Sequence, residues 1–340
     1  MPDQESYTIG WICAIKTELV AARAFLDEVY ERPEYVSPKD DNDYTLGKIG
    51  GHNVVIAVLP SGEYGIASVT GAAKDMLHSF PSIRLGLMVG IGGGAPSKKH
   101  DIRLGDIVVS NPNDGNGGVF QYDFGKTIQD QSFQTTGFLN QPPRVLRTAV
   151  SGLQAQYEAD GHQLENAING ILEKKPKLRK KYMRPSLCTD RLYQSEVVHP
   201  QNNDNGCAET CGDNPKDLVP RVERTEEEDN PAIHYGLIAS ANQLMENALF
   251  RDRLAAEKNV LCFEMEAAGL MNSFPCLVIR GICDYSDSHN NKEWQGYAAM
   301  TATAYAKDLL CRIAPNQVKA EKKIDVPSGQ SKGPLESFNS

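Results

Sequence analysis

One stretch of the sequence, residues 260–284, constrains the fold more than any other. It contains two apolar runs, Val260–Phe263 and Cys276–Ile282, each bounded by residues that break regular structure. Apolar runs of this length without alternation are typical of parallel strands that are covered on both faces. The stretch therefore predicts two buried strands of an α/β sheet, joined through a short helix.

Charged side chains mark both predicted strands. Glu264 and Glu266 lie where the first strand gives way to the helix, while Arg280 and Asp284 lie within and at the end of the second. An open α/β sheet binds ligands at the carboxyl ends of its strands, so these charges mark a candidate site. Capping and ion pairing explain any one of them equally well. Their joint arrangement favours a ligand site.

The start of the chain is also predicted to form a strand and then a helix. Tyr7–Ile15 is apolar, and Lys16–Leu26 has the 3.6-residue apolar period of a helix. Glu18 falls in the first turn, where the helix dipole favours an acidic residue. The same position also directs a carboxylate towards the strand ends. Both interpretations stay open.

A glycine cluster, Gly90–Ala95, follows the predicted buried strand Leu85–Val89. The cluster either forms a tight turn or lets backbone N–H groups approach an anion or a sugar. Its spacing matches neither a Walker loop nor a Rossmann fingerprint. Other elements follow from similar patterns: a hairpin of Tyr44–Ile49 and His52–Leu59, helices Ile66–Ser79, Pro143–Asp160 and Gly296–Ile313, and strands Leu104–Ser110 and His234–Ser240.

Residues 172–232 differ in composition from the rest of the chain. They include a basic run at 174–181, a Gly- and Asn-rich part at 201–214 and an acidic run at 224–229. This predicts a partly mobile insertion on the sheet core. Residues 315–340 are polar and predict a flexible tail, or a linker towards further domains of a longer parent chain. We expect one domain over residues 1–314.

The composition excludes several classes of partner. The formal charge is −9, from 35 basic and 44 acidic residues, which argues against general binding to nucleic acid or anionic membranes. No apolar run approaches the roughly 20 residues of a membrane span, and the first residues lack the pattern of a signal peptide. These features predict a cytoplasmic protein with no nucleic-acid or membrane partner.

The cysteines predict neither a metal nor a cofactor. Five of the eight lie inside apolar runs, where a thiol behaves as a small hydrophobic group. Cys207 and Cys211 could form half of a metal site, with His199 as the nearest imidazole. No second Cys or His pair stands at the spacing of a zinc site.

Five short segments carry the strongest functional signal. They are Ile9–Glu18, Val89–Gly94, Leu104–Ser110, Phe263–Ala268 and Val278–Asp284. In this order they resemble the nucleoside phosphorylase and nucleosidase superfamily, and methylthioadenosine/S-adenosylhomocysteine nucleosidases more than phosphorylases. The resemblance covers residues 7–125 and 233–313. It implies an α/β fold of three αβα layers around a mixed, partly barrel-like sheet, with the polar insertion added, and at least a homodimer.

The resemblance also implies residue roles, because that family cleaves the bond between a base and ribose through an oxocarbenium-like transition state. Asp284 would be the general acid that protonates purine N7, which requires a raised pKa. Glu18 would activate water, and Arg280 would help to hold both. Glu266 would bind the ribose 2′ and 3′ hydroxyls while Met265 packs on the sugar. The remaining substrate-binding residues would be Gly90, Ile91, Gly92, Asn242, Gln243 and Leu244.

Two positions favour water over phosphate as the nucleophile. Phosphorylases of this superfamily bind phosphate through an Arg and a Ser or Thr, where this chain has Met88 and Ile91. Each missing charge-assisted hydrogen bond is worth roughly 1.5 to 3 kcal/mol. Bacterial nucleosidases have a serine near the water at the position of Ile91, so this chain must place its nucleophile differently.

The 5′ group of the substrate stays open. Similar domains begin fungal and animal immune-type proteins, and some relatives cleave adenine from ATP. Candidate phosphate-binding residues are Lys98, Lys99, Arg103 and the basic run at 174–181, although a solvated loop explains the run as well. We expect hydrolysis of adenine nucleosides or nucleotides, with a purine nucleoside phosphorylase, a non-catalytic nucleotide sensor and a scaffold with a vestigial pocket as alternatives.

Overall fold

A computed structural model of the chain describes residues 2–113, 115–129, 133–200, 207–225, 228, 230–289 and 292–325. The strands are β1 (Ile9–Cys13), β2 (Glu28–Val29), β3 (Tyr44–Ile49), β4 (His52–Val58), β5 (Leu85–Gly94), β6 (Ile107–Ser110), β7 (Val119–Gln121), β8 (Gly125–Lys126), β9 (Gln134–Thr135), β10 (Ile233–Ser240), β11 (Val260–Glu264) and β12 (Cys276–Asp284).

The α-helices are α1 (Lys16–Ala24), α2 (Gly65–Ser79), α3 (Arg144–Asp160), α4 (Leu164–Lys174), α5 (Arg179–Tyr182), α6 (Cys207–Thr210), α7 (Ala248–Lys258), α8 (Gln295–Arg312) and α9 (Pro315–Ala320). Short 3-10 helices lie at Gln4–Ser6, Pro176–Leu178, Leu187–Thr189, Ala267–Gly269 and Lys292–Trp294. No helix in this described part of the chain has the length and apolar character that a membrane span requires.

The main sheet is mixed and closes on itself. Its order is β11-β10-β6-β12-β5-β1-β4-β3-β2, with β7 beside β10. β5 runs parallel to β1 and β12, while β12 runs antiparallel to β6. Closure comes from β11, which also pairs with the end of β5 through Cys262 with Gly94 and Phe263 with Gly93. This confirms the predicted α/β class and its barrel-like sheet, flanked by helices.

Small residues bring the helices close to this sheet. The alanine-rich helix α8 packs on β12 and β5 and is buried along most of its length. A Cβ atom on Gly281 of β12 would lie 1.8 Å from the carbonyl oxygen of Ala298. The glycine therefore permits direct contact between strand and helix backbones. This contact holds the end of β12, which carries Asp284, against a rigid support.

Three segments differ from the sequence expectations. The glycine cluster is not a turn, because β5 continues through it to Gly94. In the insertion, the described residues pack on the core through buried Leu192 and Tyr193, while residues 201–206 lie outside the described part. The expected tail begins later than residue 315, since α9 buries Val318 and the Ile324 N–H donates to the Ile83 carbonyl oxygen at 2.9 Å.

Candidate active site

Three carboxylates from two separate parts of the chain meet around Arg280. This buried arginine of β12 donates from Nη2 to Oε2 of Glu264 at the end of β11. The same nitrogen lies 3.6 Å from Oε2 of Glu266, and Nη1 lies 3.9 Å from Oε1 of Glu18 in α1. The sequence predicted that Glu18, Glu266 and Arg280 would converge, together with Asp284. It did not predict that Glu264 would be the closest partner of Arg280.

Glu18 is fixed by backbone donors on both carboxylate oxygens. Its Oε2 accepts from the Ala14 N–H at 2.6 Å and the Ile15 N–H at 3.1 Å, and its Oε1 accepts from the Ile91 N–H at 2.8 Å. Burial nevertheless raises the pKa of Glu18, although Arg280 and these donors oppose the shift. Backbone N–H groups therefore fix the Glu18 carboxylate in place, and its raised pKa suits a group that accepts a proton.

The glycine at position 90 explains why β5 can pass this cluster. A Cβ atom on Gly90 would lie 2.2 Å from Oε1 of Glu18 and 2.5 Å from Nη1 of Arg280. Contacts this short do not occur for real Cβ atoms, so any larger residue must displace the charged pair. Gly90 therefore makes room for the side chains of Glu18 and Arg280. It does not line the cavity that contains Asp284 and Glu18.

The cluster contains more negative charge than positive charge. Glu264 accepts hydrogen bonds from the N–H groups of Glu266 and Ala267, which orients the turn that carries Glu266. Three carboxylates then surround one guanidinium. Burial and the neighbouring Glu264 raise the pKa of Glu266 to about 7, while Arg280 opposes the shift. Near neutral pH the cluster therefore takes up a proton readily.

Asp284 lines the same cavity as Glu18, Glu266 and Met265, and the cavity volume is about 470 Å³. That volume lies within the ordinary range for small-molecule sites. Oδ1 of Asp284 accepts from the Ser286 N–H at 2.9 Å, and Oδ2 accepts from the Cys283 thiol at 3.0 Å. Burial raises the pKa of Asp284 and outweighs these two donors. The arrangement favours a carboxyl group that keeps its proton.

The other expected site residues divide into two groups. Ile91, Gly92, Gln243 and Leu244 line the cavity. Asn242 does not line it. Its Oδ1 instead accepts a hydrogen bond of 2.9 Å from the Ile66 N–H in the first turn of α2. This places the Asn242 side chain as a helix cap, which is a structural role.

The candidate phosphate-binding residues lie elsewhere. Lys98, Lys99 and Arg103 line a separate cavity of about 930 Å³. Arg103 is also engaged by Asp101, to which its Nε donates at 2.8 Å. In the basic run, Lys181 donates to the Thr17 hydroxyl at 2.8 Å. These positions give no support to phosphate binding in the cavity of Asp284.

Ser286 and Lys292 are among the cavity-lining residues that the sequence did not indicate. Ser286 has a positive φ of 53°, and its buried hydroxyl has no hydrogen-bond partner among the residues that the structure describes. A buried hydroxyl of this kind is available to a ligand. The only sequence signal was the polar loop after Asp284. Lys292 stands at the start of the 3-10 helix before α8, where nothing local distinguished it from other surface lysines.

The fold is thus an α/β protein with a closed mixed sheet and a cavity lined by carboxyl groups. A family model described as the phosphorylase superfamily matches residues 8–314. The chain belongs to that superfamily.

A nucleotide-binding leucine-rich repeat (NLR)-like protein of Hyaloscypha variabilis is 46% identical over 330 residues, which cover 96% of this chain and 32% of that protein. The chain thus spans about a third of this relative's length.

Among solved structures, futalosine hydrolase of Helicobacter pylori is similar at 15% identity and a TM-score of 0.53, with 90% of this chain and 98% of that chain covered. The 5′-methylthioadenosine/S-adenosylhomocysteine nucleosidase of S. pneumoniae is similar at 17% identity and a TM-score of 0.54, with coverage of 90% and 100%. At this level of identity the two structures show a shared fold.

Proposed function

We propose that the chain is a purine nucleosidase that hydrolyses the N-glycosidic bond of adenine nucleosides or nucleotides. The observation that carries this proposal is the placement of Asp284, whose pKa is raised by burial, in one cavity with Glu18 and Glu266. Cleavage of this bond needs an acid for the leaving base, a base for the nucleophile and a group that holds the sugar. The three carboxyl groups supply these functions.

In the proposed reaction, Asp284 donates its proton to N7 of the purine as the bond between C1′ and N9 breaks. The electron pair of that bond leaves with the base. Glu18 takes a proton from water, and the water oxygen forms the new bond to C1′. Glu266 accepts hydrogen bonds from the ribose hydroxyls, and Met265 covers the sugar. The negative charge around Arg280 favours the positive charge that develops on the ribose.

The charge of the cluster supports water as the nucleophile. A phosphate dianion beside Glu18 would meet Glu18, Glu264 and Glu266, while the single guanidinium of Arg280 already pairs with Glu264. The Ile91 N–H, a donor at this point of β5, is taken by Glu18. Water carries no charge and avoids this repulsion. The proposal therefore favours hydrolysis over phosphorolysis.

A 5′-phosphorylated substrate is supported by Lys292. This lysine lines the cavity that also contains Asp284 and Glu266. A lysine here supplies a point charge for a phosphate group without disturbing the three carboxyl groups. Adenine nucleotides such as ATP are therefore included in the proposed substrate class.

A second candidate function is a nucleotide-binding module without catalysis. It is favoured by the name of the NLR-like relative, of which this chain covers only 32%. Such a module would bind adenine nucleotides in the same cavity and release them unchanged.

The test is a panel of nucleosides and nucleotides, incubated with and without phosphate and analysed by mass spectrometry. We expect free adenine and a ribose product carrying the original 5′ group in both buffers. Ribose 1-phosphate formed only with phosphate would establish a phosphorylase and overturn hydrolysis. Tight binding of ATP or adenosine with no adenine released would overturn catalysis in favour of the binding module.

A further inference from the structure

Four side chains outside the catalytic cavity form a cluster with the composition of a metal centre. They are His199, Cys207, Cys211 and His289, and their ligand atoms all lie within 4.8 Å of one another. We propose that these four residues bind one structural zinc ion. Two thiolates and two neutral imidazoles balance the charge of Zn²⁺, and a tetrahedral set of two sulfur and two nitrogen ligands is one of the usual sets in structural zinc sites.

The distances within the cluster match a tetrahedral zinc site. Zinc bonds of about 2.3 Å to sulfur and about 2.0 Å to nitrogen place sulfur and nitrogen ligands about 3.5 Å apart in a tetrahedron. Nδ1 of His199 lies 3.2 Å from Sγ of Cys211 and 3.4 Å from Sγ of Cys207. Nδ1 of His289 lies 3.6 Å from Sγ of Cys207. The metal therefore needs only small movements of the side chains.

The surroundings of His289 orient it as a ligand. Its Nε2 lies 3.0 Å from the carbonyl oxygen of Val197, which can only accept, so Nε2 carries the proton. The lone pair on Nδ1 then faces the cysteines. Hydrogen bonding of the distant ring nitrogen to a carbonyl group is the usual arrangement for a zinc-bound histidine. The ring of Tyr193 stacks on His289 with centroids 3.9 Å apart, which restricts its rotation.

The other three ligands come from the insertion. Cys207 and Cys211 lie one helical turn apart at α6, where the Cys211 N–H donates to the Cys207 carbonyl oxygen at 2.9 Å. The N–H of His199 donates to the Ser288 hydroxyl at 2.9 Å, beside His289. The sequence predicted no metal because no second Cys or His pair lies close to Cys207 and Cys211 in the chain. His289 is 82 positions from Cys207, so only the fold brings it to the cysteines.

The site would connect the insertion to the loop that follows Asp284. His289 lies five residues after Asp284, and the same loop is held by Arg251, whose Nη1 donates to the Tyr285 carbonyl oxygen at 2.7 Å. Arg221, also from the insertion, donates to the Tyr285 hydroxyl at 2.7 Å. Zinc at this place would act as a cross-link that fixes the loop, since the four-residue helix α6 has little stability of its own.

The experiment measures the metal content of the full chain after incubation with zinc and desalting, by inductively coupled plasma mass spectrometry. We expect about one zinc per chain, and less than about a tenth of that in Cys207→Ser and in His289→Gln. The matched control is Cys188→Ser, which alters an exposed cysteine of the same insertion and should retain the metal. Cobalt substitution should give the absorption bands of a tetrahedral thiolate site.

Wild-type protein provides the test that does not depend on whether a variant folds. A strong chelator should lower Tm, and added zinc should restore it. The proposal is overturned if the reduced wild-type chain retains no zinc, or if Cys207→Ser and His289→Gln retain as much as Cys188→Ser. A Cys207–Cys211 disulfide as the stable form in reducing buffer would overturn it as well.

Discussion

Asp106 and Asp284 are both carboxyl groups removed from bulk solvent near strand ends, and their surroundings are opposite. Asp106 accepts from both Nη atoms of Arg224 at 2.6 Å and lies 3.0 Å from Nε2 of His234. Burial alone would raise the pKa of Asp106, but these partners outweigh it and lower the pKa. Asp284 receives one N–H and one thiol, and burial raises its pKa.

The difference separates a carboxylate that stabilises the fold from one available for chemistry. Asp106 joins β6 to the insertion, because Arg224 belongs to the insertion and Asp106 immediately precedes β6. Its donors hold it ionised. Asp284 has fewer donors and lies beside an open cavity, and burial raises its pKa, as the proposed general acid requires. Substituting each aspartate by asparagine should therefore affect different measurements.

The largest effect is expected from Asp284→Asn. The amide keeps the shape of the side chain but has no acidic proton to donate to the leaving base. Loss of a general acid typically lowers turnover by about 100-fold to 10,000-fold. We expect kcat for adenine release to fall in this range, measured by mass spectrometry or a coupled assay for adenine.

The control for that variant is Asp160→Asn, the same chemical change at an exposed aspartate that ends α3. It should leave kcat unchanged. Equal activity of Asp284→Asn and Asp160→Asn would remove Asp284 from the mechanism.

Asp106→Asn should reduce stability and spare the chemistry. The change leaves the guanidinium of Arg224 buried without its carboxylate, and breaking a buried pair typically costs about 3 to 5 kcal/mol. We expect a loss of this size in the free energy of unfolding, measured by urea titration, with kcat per folded molecule unchanged. A drop in kcat like that of Asp284→Asn would break the distinction between the two aspartates.

Much of this arrangement follows from the sequence because the physics is local. Apolar runs predicted β11 and β12 as buried strands, with Arg280 and Asp284 in one and Glu266 just after the other. These residues meet because β11 pairs antiparallel with the end of β5, which runs parallel to β12. Glu264 was not assigned a role. It stands two positions from Glu266, and only the turn between them decides which carboxylate lies closest to Arg280.

The remaining features depend on contacts between distant residues. Lys98 and Lys99 follow the glycine cluster in the chain, but β5 carries them to another cavity. Lys292 reaches the cavity only because β12 and the start of α8 lie close together. Charge alone could not distinguish these lysines, since surface lysines are common and are usually solvated.

A smaller effect is expected when Lys292 is replaced by methionine, which keeps the apolar stem and removes the charge. If this lysine contacts a 5′ phosphate, the loss of one charge-assisted hydrogen bond should raise KM for ATP about 10-fold, with KM for adenosine unchanged. The matched control is Lys99→Met, which alters the separate cavity. Equal changes for ATP and adenosine would contradict a contact with phosphate, whereas the comparison of Asp106 with Asp284 would stand.

The smallest expected effect is on how stability varies with pH, and it has opposite signs at the two aspartates. Because the folded-state pKa of Asp106 is lowered, its stabilising contribution is present above the unfolded value of about 3.9 and is lost as pH falls through the folded value. The advantage of wild type over Asp106→Asn should therefore shrink in acid. The pKa of Asp284 is raised, so this group lowers stability. The cost begins above the unfolded pKa of about 3.9 and is complete above the folded pKa.

Asp284→Asn should accordingly be more stable than wild type at neutral pH, by an amount that disappears as pH falls through the raised pKa of Asp284 towards about 3.9. Urea titrations of wild type and both variants from neutral pH to well below about 3.9 cover both windows and measure the two differences directly. The difference between wild type and variant should change in opposite directions at the two positions. A change in the same direction would mean that the proton on Asp284 is not held by burial, and the proposed acid would lose its physical basis.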